Sequence, residues 1–131
     1  MIKVENIGVV KSKFKEPAPP DEMRQYESTI EIKPEYEEGL YRIEESDYLV
    51  VIFNFHLSEG YNLKSERRFG EIKGVFASRS PHRPSPLGVT TVKLLAREKG
   101  QLRVKGLDAV DGTPVVDIKP YAEVMDSPNS N

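Results

Sequence analysis

A chain of 131 residues is long enough to close one hydrophobic core and too short for two ordinary domains, so one domain is expected. It has no cysteine, which removes a disulfide framework, a thiolate metal site and a cysteine nucleophile, and its two histidines, His56 and His82, stand in no repeated ligand spacing, so no metal is expected. A net charge of −2 argues against a surface coated in cations, and with nothing resembling a signal peptide or an apolar run of membrane-spanning length, the expected partners include no membrane and the expected location is cytoplasmic.

Residues 2–10 read as a first strand, with Gly8 as a bulge or close backbone approach. The polar, proline-rich stretch that follows, with Lys13, Lys15 and prolines at 17, 19 and 20, reads as surface loop. Residues 28–32 alternate as a short strand, and Pro34 then takes the favoured first position of a short helix over 34–45, with Leu40 and Ile43 on one face and the glutamates solvated. Residues 48–57 are a continuous apolar run rich in β-branched and aromatic side chains, read as the most buried strand, and it ends at His56. Residues 58–73 are polar, with Gly60 and Gly70, and read as a long mobile loop. Between 64 and 83 the cations Lys64, Arg67, Arg68, Lys73, Arg79 and Arg83 face only Glu66 and Glu71, so positive charge gathers locally in an acidic chain.

The stretch 74–96, GVFASRSPHRPSPLGVTTVKLLA, organises the rest. Gly74, Val75, Phe76 and Ala77 read as a short apolar strand. Pro81, Pro84 and Pro86 then exclude helix, because each fixes its own φ, restricts the residue before it and donates no ladder bond. A stiff loop carrying Arg79, His82 and Arg83 is expected, with Gly88 turning the chain into a strand that places Thr90, Val92, Leu94 and Ala96 on one face and Thr91, Lys93 and Arg97 on the other. A hairpin turn at 98–100 leads to a strand with Leu102 and Val104 inward. Asp111-Gly112-Thr113-Pro114 reads as a turn in which Asp bonds downstream backbone and Gly accepts positive φ. The last strand, 115–119, then sets Val116 and Ile118 against Val115, Asp117 and Lys119. Short strands joined by turns give an all-β fold, a small closed or partly open β-barrel of roughly six to eight strands with one short helix. Residues 1–125 form this domain, and 126–131 form a polar, frayed tail.

The 74–96 string resembles the signature of the TsaA-like family, the TrmO-type tRNA methyltransferases, through Gly74, Val75, Phe76, Ala77, Arg79, Ser80, Pro81, Arg83, Pro84, Pro86, Gly88, Val92 and Leu94, with Ser78 for Thr, Ser85 for Asn and Leu87 for Ile. A second string, from Gly106 to Tyr121, is similar to the family's GLDxxDGTPVVDIKPY block. The opening strand and the Phe55-His56 pair are family-like too, whereas Pro20-Asp21-Glu22 stands where the family carries Pro-Arg-Gln.

The resemblance implies a β-barrel homodimer that transfers a methyl group from S-adenosylmethionine to N6 of a threonylcarbamoyl-modified adenosine beside the tRNA anticodon. It implies donor-binding positions at Pro20, Asp21, Glu22, His56, Leu57, Arg79, Leu87, Asp108, Ala109, Val110 and Asp111. The residue types suit that chemistry: Asp108 and Asp111 can meet the donor's ribose diol and positive charges, and Arg79 its carboxylate or a tRNA phosphate. Lys64, Arg67, Arg68, Lys73 and Arg83 are the expected RNA contacts. In-line methyl transfer depends on positioning, so no nucleophile is expected; the proton leaving the acceptor amine goes to Asp111 or His56. Two plainer readings stand beside these, in which Asp108 and Asp111 cap a turn and the basic segment is a solvated loop. The alternative function is a non-catalytic barrel that binds RNA or a nucleotide.

Overall fold

A computed structural model describes residues 2–129, except for the side chain of Arg68. Six antiparallel strands close a barrel in the order β1-β2-β7-β6-β3-β8. Their ranges are β1 Gly8–Lys11, β2 Glu27–Ile32, β3 Tyr48–Asn54, β6 Leu87–Glu98, β7 Gln101–Lys105 and β8 Pro114–Pro120. Period-two alternation is what turns one face inward: Leu49, Val51 and Phe53 of β3 are buried, as are Ile30 of β2 and Leu102 and Val104 of β7. Each such side chain contributes about 1.5–3 kcal/mol by leaving water. Gly8 sits where β1 crosses closely over β2, since a Cβ there would lie 2.5 Å from the Glu31 carbonyl oxygen.

Closure bends two strands, and both bends correct the alternation read from sequence. A register shift between Leu94 and Ala96 in the β6–β7 ladder adds one residue to β6. Beyond it Arg97 no longer faces out to water: its Nη1 donates to the Leu40 carbonyl at 3.0 Å and pairs with Glu44 at 3.2 Å. A second shift pairs Ile52 with Asp117 but Phe53 with Val115. Val115 is therefore fully buried, and Ile118, across from Val51, shares its inner face, although the two are an odd number of residues apart. Bulges of this kind are how a sheet curls into a barrel.

Three other expectations are corrected. Residues 34–45 form two 3-10 turns, Pro34–Leu40 and Ile43–Glu45, in place of a regular helix; Arg42 between them has φ 67°, which breaks the helical path. They cover one barrel end through Leu40. In place of one short helix, the α-helices among the described residues are two single turns, α1 Pro20–Met23 and α2 Glu123–Asp126. The stretch 58–73 is not a featureless loop: β4 Lys64–Glu66 and β5 Ile72–Gly74 pair as a hairpin outside the barrel, and Val75–Ala77 after it is a 3-10 turn and no strand. The first strand begins at Gly8, and β3 ends at Asn54, before His56.

Candidate functional site

At the barrel end opposite the 3-10 turns, loops from four parts of the chain surround a cleft of about 680 Å³. Its floor is aromatic: Phe53 and Phe55 meet edge to face with ring centroids 5.2 Å apart. Gly88 permits the start of β6 to cross these rings, because a Cβ at 88 would stand 2.6 Å from Phe53 and 2.8 Å from Phe55. Leu57, Leu87, Val89 and Val110 extend the apolar lining.

One wall is the proline loop, residues 78–86, and its own polar groups fix it. The Arg83 guanidinium donates to the Ser78 and Ser80 carbonyls at 2.9 and 3.2 Å. Arg79 donates to the Val89 carbonyl at 2.9 Å. The Ser58 hydroxyl donates to the Pro81 carbonyl at 3.0 Å and lies 2.9 Å from Nδ1 of His82. A carbonyl only accepts, so the one hydroxyl hydrogen goes to Pro81 and His82 supplies Nδ1–H to the hydroxyl oxygen. With three prolines in this loop, little backbone freedom remains to be lost when something binds.

Asp108 supplies the cleft's carboxylate. Its side chain is 14% exposed; Oδ2 accepts from Nη2 and Nε of Arg24 at 2.8 and 3.2 Å, and Oδ1 accepts from the Thr90 hydroxyl at 2.5 Å. Asp111, three residues on, is absent from the cleft lining. Its Oδ1 accepts the Ser12 N–H at 2.9 Å and its Oδ2 pairs with Lys15 Nζ at 2.9 Å, beside a separate depression lined by Lys11, Lys13 and Arg103. The Ser12 N–H first, and the Lys15 ammonium second, hold the Asp111 carboxyl below the usual carboxylate range. The turn is closed by Thr113, whose N–H and hydroxyl both donate to the Val110 carbonyl, with Gly112 at φ 86°. Asp111 therefore does not bond its own turn; it ties down residues 12–15.

Of the donor-binding positions expected, the cleft brings together Pro20, His56, Leu57, Arg79, Leu87, Asp108, Ala109 and Val110, and leaves out Asp21, Glu22 and Asp111. The acids at 21 and 22 lie on α1, and one turn later Arg24 enters the cleft instead. Arg24, which was not singled out from sequence, is the basic residue that this segment brings to the cleft. Met23, Ser58, His82 and Thr90 also line the cleft and were not singled out as donor contacts. Among the expected RNA contacts only Arg83 reaches it. Lys64 and Lys73 stand on the β4–β5 hairpin, where Lys73 pairs with Glu71 at 3.0 Å, and Nε and Nη2 of Arg67 are buried there without a hydrogen-bond partner. The Arg68 side chain lies outside what is described. No group of three or more metal-ligating side chains occurs among the described residues.

The model of the tRNA-methyltransferase O N-terminal domain matches residues 8–127. The chain belongs to the TrmO N-terminal domain family. It is 40% identical to a probable S-adenosyl-L-methionine-binding protein of Pyrococcus abyssi over 96% of this chain and 71% of that protein. A mouse protein named tRNA (adenine(37)-N6)-methyltransferase is 42% identical over 72% of this chain and 23% of its own length. The crystal structure of TrmO from Pseudomonas aeruginosa superposes with a TM-score of 0.81 at 33% identity, covering all of this chain and 60% of that one. The TrmO-type barrel is thus the fold, while the chain spans about a quarter of the mouse protein and three fifths of the Pseudomonas one.

Proposed function

We propose that the chain is an S-adenosylmethionine-dependent methyltransferase acting on N6 of a tRNA adenosine beside the anticodon, one that already carries a threonylcarbamoyl group. The observation that carries this reading is the pairing of a single, mostly buried carboxylate, Asp108, with an aromatic floor in a cleft of about 680 Å³, the size range of cofactor sites. Bound there, the donor supplies an electrophilic methyl group on a sulfonium centre. Phe55 and the apolar lining fit its apolar and purine surfaces, Asp108 accepts from its hydroxyls or ammonium, and Arg79 and Arg24 meet its carboxylate. Relatives named for S-adenosyl-L-methionine binding support the donor, and the name of the mouse relative supports the acceptor.

The stiff loop and the floor orient the reactants and exclude water, which supplies the rate when methyl carbon and acceptor nitrogen are held in line. The new N–CH₃ bond forms as the S–CH₃ bond breaks, and the amine then releases its proton. Of the two acceptors read from sequence, His56 lines the cleft and Asp111 does not, so His56 is retained. Calorimetry should record one donor site per chain, and nucleoside mass spectrometry of tRNA incubated with protein and donor should record an added methyl group. Donor binding without methylation would replace the reading with a non-catalytic module, and no donor binding would remove both.

The active form we propose is a homodimer. Support comes from residues 57–76, which expose Leu57, Tyr61, Leu63, Ile72 and Phe76, the last at 78%, beside the unpartnered Arg67 nitrogens. Light scattering should give twice the chain mass; a monomer that still methylates tRNA would overturn it.

A further inference from the structure

The hairpin cations read from sequence as the RNA contacts are partly neutralised and stand away from the cleft, so a protein of net charge −2 must hold a polyanion with something else. The outer barrel wall offers it. Register places Lys11, Thr29 and Arg103 in one row across β1, β2 and β7. The next row, one step along β7 from Arg103, holds Glu27, Lys105, Lys93 and Tyr48 across β2, β7, β6 and β3, and meets β3 at its first residue. Adjacent strands are about 4.8 Å apart, so from β1 to β6 these rows cover roughly 14 Å of arc. Lys13 and Lys15 project from the loop that follows β1 onto the same depression. Lys13 lies 3.6 Å from the Tyr26 ring centroid, and Tyr26 meets Phe14 edge to face.

Three features set this wall apart from an ordinary solvated face. Lys93 and Lys105 are direct cross-strand partners, an arrangement that repels, and no ion pair is seen for either, nor for Lys11 and Lys13, among the described residues, whereas Arg103 pairs with Glu27 at 3.7 Å. Charge is polarised along the barrel. One row beyond Thr29 and Arg103 the wall carries Glu31 and Glu98, and the 3-10 turns closing that end add Glu35, Glu37 and Glu38, beside Glu44 and Glu45, which Arg97 and Arg42 neutralise, with Lys33 and Lys99 as the remaining cations there. Finally, the basic depression and the cleft share their partitions: Ser12, Lys13 and Lys15 line one while Pro17, Pro20 and Arg24 line the other, and Asp111 and Val110 divide in the same way.

We propose that the outer face of β1, β2, β7 and β6, centred on Lys11, Lys93, Arg103 and Lys105, binds the phosphate backbone of the substrate RNA and presents an unpaired base across the 12–26 loop to the cleft. An anion bound there relieves the Lys93–Lys105 repulsion, and the acidic far end fixes its orientation. Tyr26 and Tyr48 offer stacking surface beside the cations. The proposal rests on the methyltransferase reading for the identity of the RNA, and its test separates the two.

Bind fluorescent tRNA to wild type, to a Lys11→Gln, Lys93→Gln, Lys105→Gln triple variant, and to a Lys33→Gln, Arg42→Gln control at the acidic end, over a salt series. The triple variant should bind at least tenfold more weakly at about 0.1 M salt, with a slope of log K against log salt shallower by roughly two units, about 0.7–0.9 per contact. The control should match wild type. Calorimetric donor affinity should be unchanged, and the melting temperature equal or higher, since the variant removes a repulsion. A triple variant whose tRNA affinity and salt slope match wild type overturns the proposal and leaves the methyltransferase reading standing. A wild-type protein that binds no tRNA overturns both.

Discussion

The two sides of the loop 108–113 invite comparison, because each carries one aspartate and the two lie three residues apart. On the cleft side Asp108 is 14% exposed and accepts from Arg24 and Thr90, both of which also line the cleft. On the other side Asp111 is 27% exposed and accepts from Ser12 and Lys15 of a single loop. The first is a carboxylate with an arginine that an incoming ligand can displace, set against apolar walls. The second is a strut between two loops. Identical side chains thus separate into a ligand contact and a loop anchor through the direction each takes from one turn, and Gly112 at positive φ is what sends the chain back.

The sharpest way to break this comparison is to remove the cleft-side carboxylate. Asp108→Ala should weaken S-adenosylmethionine binding by about 10–100-fold, the loss of one or two hydrogen bonds to a charged group, while the barrel still folds. It also frees Arg24, so a partial rescue by Asp108→Asn, which keeps an acceptor for Thr90, is the expected second result. Calorimetry on the two variants checks both. An Asp108→Ala protein with unchanged donor affinity would mean that the Arg24–Asp108–Thr90 set only braces the cleft wall.

Most of the barrel was legible because alternation records burial on one face in β2 and β7, and because β3 is an unbroken apolar run of β-branched and aromatic residues. It failed where closure inserts an extra residue, near Leu95 and Val116, since a bulge changes the facing of every later side chain and leaves no mark in composition. The β4–β5 hairpin was hidden for a different reason. Its strands hold one apolar residue, Ile72, which is exposed, so no inward face writes a period into the sequence. In the cleft, the proline loop announced itself through φ restriction, and Asp108 through its turn. Arg24 went unread because its partners, Asp108 and Thr90, lie far along the chain, and only tertiary structure joins them.

The smaller effect lies on the strut side and carries a pH signature. The folded state holds the Asp111 carboxyl below its ordinary value, through the Ser12 N–H first and Lys15 second, so the unfolded chain binds that proton more tightly. Stability from this group is therefore complete above the ordinary carboxylate value of about 4 and is lost as pH falls through that value toward the lowered one. Asp111→Ala should melt a few degrees lower near neutral pH, should lose part of the acid-side decline below about pH 4, and should keep donor affinity within about twofold. Thermal melts across that range, with calorimetry at neutral pH, check all three. A variant that loses donor binding at unchanged melting temperature would place Asp111 against the donor, and the two sides of the loop would then share one task.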